Sequence, residues 1–280
     1  MKSSDVKTKL SGLMALMPAW GMHRLRERTA MNADEMYRSV MMADPPAEET
    51  PSDAAERQYR FGTVWGRDGL SIRDRRFVTL ACTSADVDVD AMDAQVYAAL
   101  KSGDLTIGQL NELTLHFAVY CGWPRASQLE GCVRAQWQRI HDEQGEAAPA
   151  FPQLGVEDLG PADPARRVAG GVRSFEEINL VPAPSQDSPY FYSGILSFVF
   201  GHLWLRPGLT RRERRLITIA CVGVSDAKNP IWSHVTSALG SGDLAYAEME
   251  EVILQFSAYA TKARAEVLRN VAVQWQESHT

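Results

Sequence analysis

The sequence predicts an all-α fold made of two tandem helical-bundle domains of one type, and three observations support this prediction. Apolar residues recur at three-and-four spacing through residues 107–117, which is the period of one helix face. The capping-box pattern, a hydroxyl residue followed three positions later by an acid, precedes two long apolar segments. Alternating strand patterns joined by hairpin dipeptides are absent from the sequence.

An internal repeat fills most of the chain. Residues 61–120 align without a gap with residues 200–259, at a constant offset of 139 positions, and 23 of the 60 paired residues are identical. Unrelated helices do not share that many residues, and two copies are too few for a solenoid. Each repeat is therefore predicted to be a small domain.

The domain boundaries follow from composition and from the extent of the repeat. We predict an N-terminal helical extension over residues 1–24, a first domain over 25–141 and a second domain over 165–280. Residues 142–164 are rich in Pro, Gly, Ala and acids, which is typical of a linker. The two domains are expected to be related by a pseudo-twofold axis, with both capping-box helices buried where they meet.

Helix starts can be placed at paired positions in the two repeats. Residues 71–74 and 210–213 fit the capping box and open equivalent helices, and Thr106 opens another. Asn229 followed by Pro230 predicts an N-cap with proline at the first helical position.

Arginines stand at paired positions around both helix starts. Arg67 and Arg206 follow the repeated tryptophans, which fits either a substrate clamp or a salt bridge that fixes the turn. Four further arginines at the helix starts are expected to pair with Glu112 and Glu251, namely Arg75, Arg76, Arg214 and Arg215.

The charge and composition of the sequence argue against nucleic-acid and membrane partners. The formal net charge of -6 argues against a nucleic-acid surface. No basic run could draw the chain to anionic lipid, and no segment approaches the roughly 18 apolar residues of a membrane span. The four cysteines form no Cys-x-x-Cys pair, so they are predicted to be buried, reduced thiols. We therefore expect a cytoplasmic protein with no nucleic-acid and no membrane partner.

Several motifs resemble those of one known family. They are W-x-R-x-G-L at residues 65–70 and 204–209, H-V-x-x-A-L-x-x-G at 234–242, and A-V-Y-x-G-x-P at 118–124. These motifs are similar to the carboxymuconolactone decarboxylase family, a branch of the alkylhydroperoxidase-D-like superfamily. The resemblance implies a helical bundle in each repeat and assembly into rings, so that three tandem chains would form a homo-oligomer.

The departures from the family pattern bear on function. The peroxidase branch needs a resolving cysteine near its nucleophile, and since the sequence has no such pair a thiol peroxidase is not expected. The acid that the decarboxylase branch places before its second tryptophan is Thr63 in the first repeat and His202 in the second. The family histidine is kept as His234 but is Gln95 in the first repeat.

Decarboxylation next to a conjugated lactone needs an oriented carboxylate, an oxygen that accepts electrons and a proton delivered to carbon. We predict His234 and His202 as the catalytic pair, one neutral as base and one charged as donor, provided that their environments separate their pKa values. Because an arginine can hold a carboxylate by two parallel bonds, Arg206 is a substrate-binding candidate. The other predicted substrate-binding residues are Trp204, Tyr120, Trp123 and His116. Helix packing is the alternative role for each.

The sequence thus predicts a cofactor-free lyase or isomerase acting on a small carboxylated lactone or oxo acid, as the family resemblance implies. No His, Asp or Glu cluster at ligand spacing suggests a metal. The alternative is a catalytically silent member that serves assembly or small-ligand binding, which the loss of the family acid favours. Convergence of His202 and His234 on one pocket would favour the enzyme.

Overall fold

A computed structural model of the chain describes residues 32–86, 89–152 and 163–280. The predicted extension over residues 1–24 lies outside them, as does the middle of the predicted linker. The described residues form α-helices with shorter π- and 3₁₀-helical segments and include no β-strand, which confirms the all-α prediction. None of the described helices is both long and apolar enough to cross a membrane.

The helices follow one another with short connections. The α-helices are α1 (Ala33–Met41), α2 (Pro51–Tyr59), α3 (Ile72–Asp86), α4 (Val89–Lys101), α5 (Ile107–Cys121), α6 (Trp123–Gln144), α7 (Pro164–Asn179), α8 (Arg211–Val224), α9 (Lys228–Gly240), α10 (Tyr246–Ser257) and α11 (Lys262–Ser278). Two π-helical segments, π1 (Arg60–Trp65) and π2 (Tyr190–Phe200), and a 3₁₀ turn (Leu203–Leu205) complete the described structure.

The helices of the two repeats begin at paired positions. Ile72 and Arg211, the first residues of α3 and α8, are separated by the 139 positions of the sequence repeat. The same register relates α4 to α9, α5 to α10 and α6 to α11. The sequence repeat is therefore also a repeat of helix register.

Capping groups define the starts of the two central helices. Thr210 Oγ1 accepts from the backbone N–H of Glu213 at 3.2 Å, and the Glu213 carboxylate accepts from the Thr210 N–H at 2.7 Å. The Asp74 N–H donates to Ser71 Oγ at 3.0 Å at the start of α3. Each bond satisfies a helix N–H that has no partner within the helix. These starts agree with the sequence prediction.

The predicted N-cap at Asn229 was wrong. Helix α9 begins at Lys228, with Ala227 as its N-cap. Asp226 adopts a left-handed conformation with φ 50°, and the Ala227 carbonyl then accepts from Ile231 N–H at 2.8 Å. The helix therefore begins one residue before Asn229. The prediction rested on the preference of proline for the first helical position, and that preference does not report the turn at Asp226.

Helices α3 and α8 pack against each other at the centre of the fold. A single hydrophobic cluster contains fully buried side chains of both repeats, among them Phe77, Phe117, Leu216 and Phe256. Burial of each such side chain contributes about 1.5–3 kcal/mol. The shared core fixes the helices of one repeat against those of the other.

Two glycines allow α7 and π2 to pack closely. A Cβ on Gly171 would overlap the carbonyl oxygen of Leu196, and one on Gly201 would overlap the carbonyl of Arg167. A second hydrophobic cluster lies beside this contact and contains Ile178, Val199, Phe200 and Trp204. The close approach thereby brings π2 and the repeated tryptophan against α7.

Candidate active site

Each repeat places an arginine against a carboxylate of the other repeat. Arg206 Nε lies 3.0 Å from both carboxylate oxygens of Glu112, and its Nη2 lies 2.6 Å from Oε1. Arg67 binds Glu251 in the same manner, with Nη2 2.6 Å from Oε1. The salt-bridge interpretation of these arginines is confirmed. The guanidinium of Arg206, predicted to bind substrate, is engaged by Glu112.

Two of the four helix-start arginines make the predicted pairs. Arg75 Nη2 lies 3.0 Å from Glu251 Oε2, and Arg214 Nη2 lies 3.4 Å from Glu112 Oε2. The two contacts are equivalent: in one the first repeat supplies the arginine and the second the glutamate, and in the other the second repeat supplies the arginine.

The predicted pairing was wrong for the neighbouring arginines. Arg76 Nε lies 3.1 Å from Asp104 Oδ2, and Arg215 Nε lies 3.1 Å from Asp243 Oδ2. Successive residues of an α-helix point about 100° apart, so Arg76 and Arg215 face away from the glutamates. They face the Ser-Gly-Asp turns instead.

A cavity of about 450 Å³ lies among α7, π2, α8, α9 and the end of α5. We call it the second-repeat cavity. Its wall is largely aromatic and aliphatic, and none of the described lining residues carries a carboxylate, an ammonium or a guanidinium. Its polar lining includes Tyr120, Asn179, Ser225, Asn229, Ser233 and His234.

His234 lines this cavity from α9. Its Nδ1 is buried and has no hydrogen-bond partner among the described residues. Burial, with a smaller effect of Arg215, lowers the pKa of His234 to about 3. The imidazole is therefore neutral at physiological pH and can accept a proton or a hydrogen bond.

Tyr120 and Trp204 adjoin His234. The ring centres lie 5.6 Å from His234 for Tyr120 and 6.0 Å for Trp204, whose plane is nearly parallel to the imidazole. Trp204 Nε1 donates to the Tyr120 hydroxyl at 3.0 Å. Burial raises the pKa of Tyr120 to about 12, so its hydroxyl keeps its proton.

His116 lies behind these rings. Its ring centre is 5.0 Å from that of Trp204, and its Nε2 is 2.8 Å from Thr218 Oγ1. Burial, followed by the positive charge of Arg214, lowers the pKa of His116 well below its usual value. This imidazole is neutral and hydrogen-bonded within the protein.

His202 is placed differently from His234. It is buried beside Phe198, at 5.7 Å between ring centres, and its Nε2 has no hydrogen-bond partner among the described residues. It is not among the described residues that line the second-repeat cavity. Burial and then Arg206 lower its pKa too, the same direction as for His234 rather than the expected division into base and charged donor.

Trp123 is 57% exposed and packs at 6.2 Å against Phe198. It lines a separate cavity of about 280 Å³. The predicted residues therefore divide into three groups. His234 and Tyr120 line the second-repeat cavity, Trp204 and His116 adjoin them, and His202, Arg206 and Trp123 do not line it.

The sequence prediction missed the part of the wall that α7 and π2 supply. Phe175 and Asn179 come from α7, and Phe191 and Ile195 come from π2. The sequence signal for this region is a proline-rich stretch that recurs before the repeated tryptophan, at residues 43–56 and 181–189. It suggests an irregular loop in both repeats, but in the first repeat its second half lies in α2.

The paired positions of the first repeat surround a smaller cavity of about 210 Å³, the first-repeat cavity. Gln95 and Tyr259 line it, at the positions paired with His234 and Tyr120. The guanidinium carbon of Arg60 lies 4.2 Å from the centre of the Tyr259 ring. The two cavities thus differ in volume, in charge and in the presence of an imidazole.

The cysteines differ in burial. Cys82, Cys132 and Cys221 are buried and free, as predicted, whereas Cys121 is partly exposed, against the prediction. Within the described ranges, no group of His, Cys, Asp and Glu side chains is arranged to hold a metal ion.

Part of the chain is similar to known proteins. Residues 53–135 match the model of the carboxymuconolactone decarboxylase family. A segment of 88 residues, 31% of this chain, is 34% identical to the 4-carboxymuconolactone decarboxylase of Acinetobacter baylyi. The match spans 60% of the length of that relative.

Proposed function

From the match of residues 53–135 to the model of the carboxymuconolactone decarboxylase family, we propose that the chain is a cofactor-free lyase or isomerase acting on a small carboxylated lactone or oxo acid. The observation that carries the proposal is His234, whose Nδ1 lacks a partner among the described residues and which lines a cavity of about 450 Å³. Small-molecule sites typically have volumes of about 300–1,000 Å³.

The apolar wall of the second-repeat cavity suits decarboxylation. A carboxylate loses its charge when carbon dioxide departs, so removal of water from around it favours the departure. Phe175, Phe191 and Phe200 line this wall. The electrons left behind need an oxygen on which to reside, which a conjugated lactone or keto group of the substrate supplies.

The substrate carboxylate is proposed to face the start of α9. Ala227, Asn229 and Pro230 line the cavity there, at the N-terminus of the helix Lys228–Gly240. Helix N-termini carry partial positive charge and favour anions. This replaces the carboxylate clamp expected of Arg206, which already binds Glu112.

The proposed reaction balances without a cofactor. The bond from the ring carbon to the carboxylate breaks, carbon dioxide leaves, and the electron pair passes to the lactone carbonyl oxygen. A proton that comes ultimately from water then adds to carbon and restores the carbonyl. Because its pKa is lowered to about 3, His234 does not hold this proton between turnovers; its proposed role is to relay the proton from water to carbon, or between two carbons in an isomerisation.

Ligand binding without turnover is the second candidate. It is favoured by the absence of a charged side chain among the described lining residues, because such residues commonly orient a reacting carboxylate. The partner in either case is a small molecule. A cytoplasmic location stays a prediction.

The architecture proposed for the chain is two tandem copies related by a pseudo-twofold axis. The reciprocal pairs Arg206–Glu112 and Arg67–Glu251 support it, because a twofold axis would generate each contact from the other. The trimer of tandem chains is likewise a proposal, and sedimentation of the purified chain tests it.

The activity test is turnover of carboxymuconolactone, measured by the change in absorbance as the conjugation of the lactone is altered and by the carbon dioxide released. His234→Gln places in the second repeat the amide that the first repeat carries at residue 95. It is expected to lower kcat by about 10²–10⁴-fold, because general acid–base catalysis is lost. His202→Gln is expected to have a smaller effect, since His202 does not line the cavity.

Gln95→Ala is the matched control and should leave kcat essentially unchanged. Full activity of His234→Gln would show that the site assignment is wrong. Binding of the lactone by the wild-type chain without any turnover would favour the silent, ligand-binding alternative.

A further inference from the structure

A cavity of about 500 Å³ lies between α9 and α11, beside the residues that follow α7. We call it the α9–α11 cavity. Among the described residues, Asn179 is the one that lines both this cavity and the second-repeat cavity. Its Oδ1 accepts from Ser233 Oγ at 2.8 Å. Asn179 is therefore part of the wall between two separate spaces.

The paired positions of the first repeat hold an aromatic ring between α4 and α6. Tyr97 lies on α4, and its hydroxyl donates to Glu143 Oε2 at 2.9 Å, near the end of α6. The guanidinium carbon of Arg139 lies 4.1 Å from the centre of the Tyr97 ring. Lys101 Nζ also lies 2.9 Å from Glu143 Oε2. The ring and two long cationic side chains thus connect the two helices.

The second repeat has shorter side chains at these positions. The register of 139 positions continues along the last pair of helices, because Leu129 and Leu268 are both fully buried. The positions paired with the tyrosine, lysine and arginine of the first repeat are Thr236, Gly240 and Ser278, and all three line the α9–α11 cavity. The cavity therefore lies where the first repeat places a ring and two cationic side chains.

Two tryptophans of the cavity wall replace polar residues of the first repeat. Trp232 is paired with Asp93 and Trp275 with Gln136. Trp232 is 53% exposed. A Cβ added to Gly240 would lie 3.9 Å from Trp275 Nε1, so the N–H edge of this indole borders the glycine. Among the described residues, none accepts a hydrogen bond from it.

The charge of the lining indicates the charge of the ligand. None of the described lining residues carries a carboxylate, an ammonium or a guanidinium. An ion would therefore lose water in this cavity without gaining an oppositely charged partner, which is costly. The flat faces of aromatic side chains favour a second aromatic ring, in stacked or edge-to-face contact.

We propose that the α9–α11 cavity binds a neutral, planar aromatic molecule that carries a hydrogen-bond acceptor. The molecule takes the place that the Tyr97 ring has in the first repeat. Trp232 provides an aromatic surface at the mouth of the cavity, and the Trp275 N–H donates to the acceptor. This site is distinct from the second-repeat cavity, and the proposal does not rest on the proposed function.

Quinoline is the probe, because it is planar, uncharged near neutral pH and has a ring nitrogen that accepts a hydrogen bond. Naphthalene has the same shape without the acceptor. Quinoline should bind the full chain and shift the indole N–H resonance of Trp275, which is assigned by its loss in Trp275→Phe. That variant should lower the ratio of quinoline affinity to naphthalene affinity by roughly three- to tenfold, the effect of one hydrogen bond.

Thr236→Tyr places in the second repeat the residue that the first repeat carries at the paired position. It should weaken quinoline binding by at least about tenfold, because its ring occupies the space of the ligand. Tyr97→Thr is the matched control, the reverse exchange in the first repeat, and should leave quinoline affinity unchanged. Urea unfolding of each variant establishes that it is folded before the affinities are compared.

Four outcomes would overturn the inference. They are a wild-type chain that does not bind quinoline, wild-type affinity in a folded Thr236→Tyr variant, an unchanged affinity ratio in Trp275→Phe, and displacement of quinoline by excess γ-crotonolactone. Because γ-crotonolactone is a small lactone of the class proposed for the second-repeat cavity, its displacement of quinoline would place both molecules there. A Trp232→Ala chain that sediments as a smaller species than wild type would show instead that a second copy covers the cavity, which also contradicts the proposal.

Discussion

Arg206 and Glu112, from opposite repeats, form an ion pair in which the arginine side chain is 1% exposed and the glutamate side chain 6%. The paired contact between Arg67 and Glu251 has the same geometry, but the Arg67 side chain is 49% exposed. One molecule therefore contains the same ion pair in a buried and a half-exposed setting. The buried pair should therefore contribute more to the free energy of unfolding than the half-exposed pair.

Arg206→Met should reduce the free energy of unfolding by about 3–5 kcal/mol, because it leaves the Glu112 carboxylate buried with a weaker partner. Arg67→Met should cost less than about 1 kcal/mol, since water already screens that pair. Urea unfolding of both variants measures the two losses. Equal losses would contradict the idea that burial, and not geometry, determines how much each pair contributes to the free energy of unfolding.

Three buried histidines should make the chain less stable at low pH. Burial lowers the pKa of His234 to about 3, and it also lowers the pKa values of His116 and His202. An unfolded histidine titrates near pH 6.5, so below that pH the unfolded chain binds more protons than the folded chain. The stability is thus complete above about pH 6.5 and decreases as the pH falls toward the folded values.

His116→Gln removes one of these titrating groups and keeps the hydrogen bonds of the paired residue Gln255. Between pH 6.5 and pH 5, the loss of stability in this variant should be smaller than in wild type by about 1.5 kcal/mol. Urea unfolding at a series of pH values measures the difference. Parallel stability curves would mean that His116 takes up its proton over the same pH range in the folded and the unfolded chain, contrary to its lowered pKa.

Two adjacent glycines of α7 should respond in opposite ways to alanine. A Cβ at Gly171 would overlap the Leu196 carbonyl of π2, whereas nothing lies within 4 Å of a Cβ at Gly170. Gly171→Ala should destabilise the chain by at least about 1–3 kcal/mol and weaken ligand binding, because it displaces a wall of the second-repeat cavity. Gly170→Ala should stabilise it by about 0.5–1 kcal/mol. Thermal unfolding distinguishes the two, and a neutral Gly171→Ala would contradict the close packing.

Local signals accounted for much of the fold. The capping box at Thr210 and the N-terminal cap at Ser71 could be predicted because the interacting groups are three residues apart. The partners of Arg76 and Arg215 could not, since they depend on which side of the helix faces which turn of the chain. Hydrophobic spacing predicts that a helix is buried but does not assign a partner to each charge.

The site was predictable only in part, because its two walls have different origins. His234 and Tyr120 belong to motifs within the repeats, and both line the second-repeat cavity. Phe175 and Phe191 lie on elements brought together by the contact at Gly171, which is a tertiary feature that no sequence spacing encodes. His202 was predicted from its motif position alone, and neighbouring residues in a motif need not face the same cavity.

The last prediction concerns how many ligands one chain binds. In the first-repeat cavity, Arg60 lies over the Tyr259 ring and its Nε donates to the Ala258 carbonyl at 2.9 Å, so a charged side chain occupies space beside the tyrosine. The position paired with Arg60 in the second repeat is Val199, which lines the larger cavity without a charge.

We therefore expect a single molecule of γ-crotonolactone to bind each wild-type chain, measured by isothermal titration calorimetry. Combining Arg60→Val with Gln95→His gives the first repeat the residues of the second at these two positions and should raise the stoichiometry to two. Two lactones bound by the wild-type chain would show that Arg60 does not close the first-repeat cavity, and a folded double variant that still binds one would show that this pair of residues does not determine the difference.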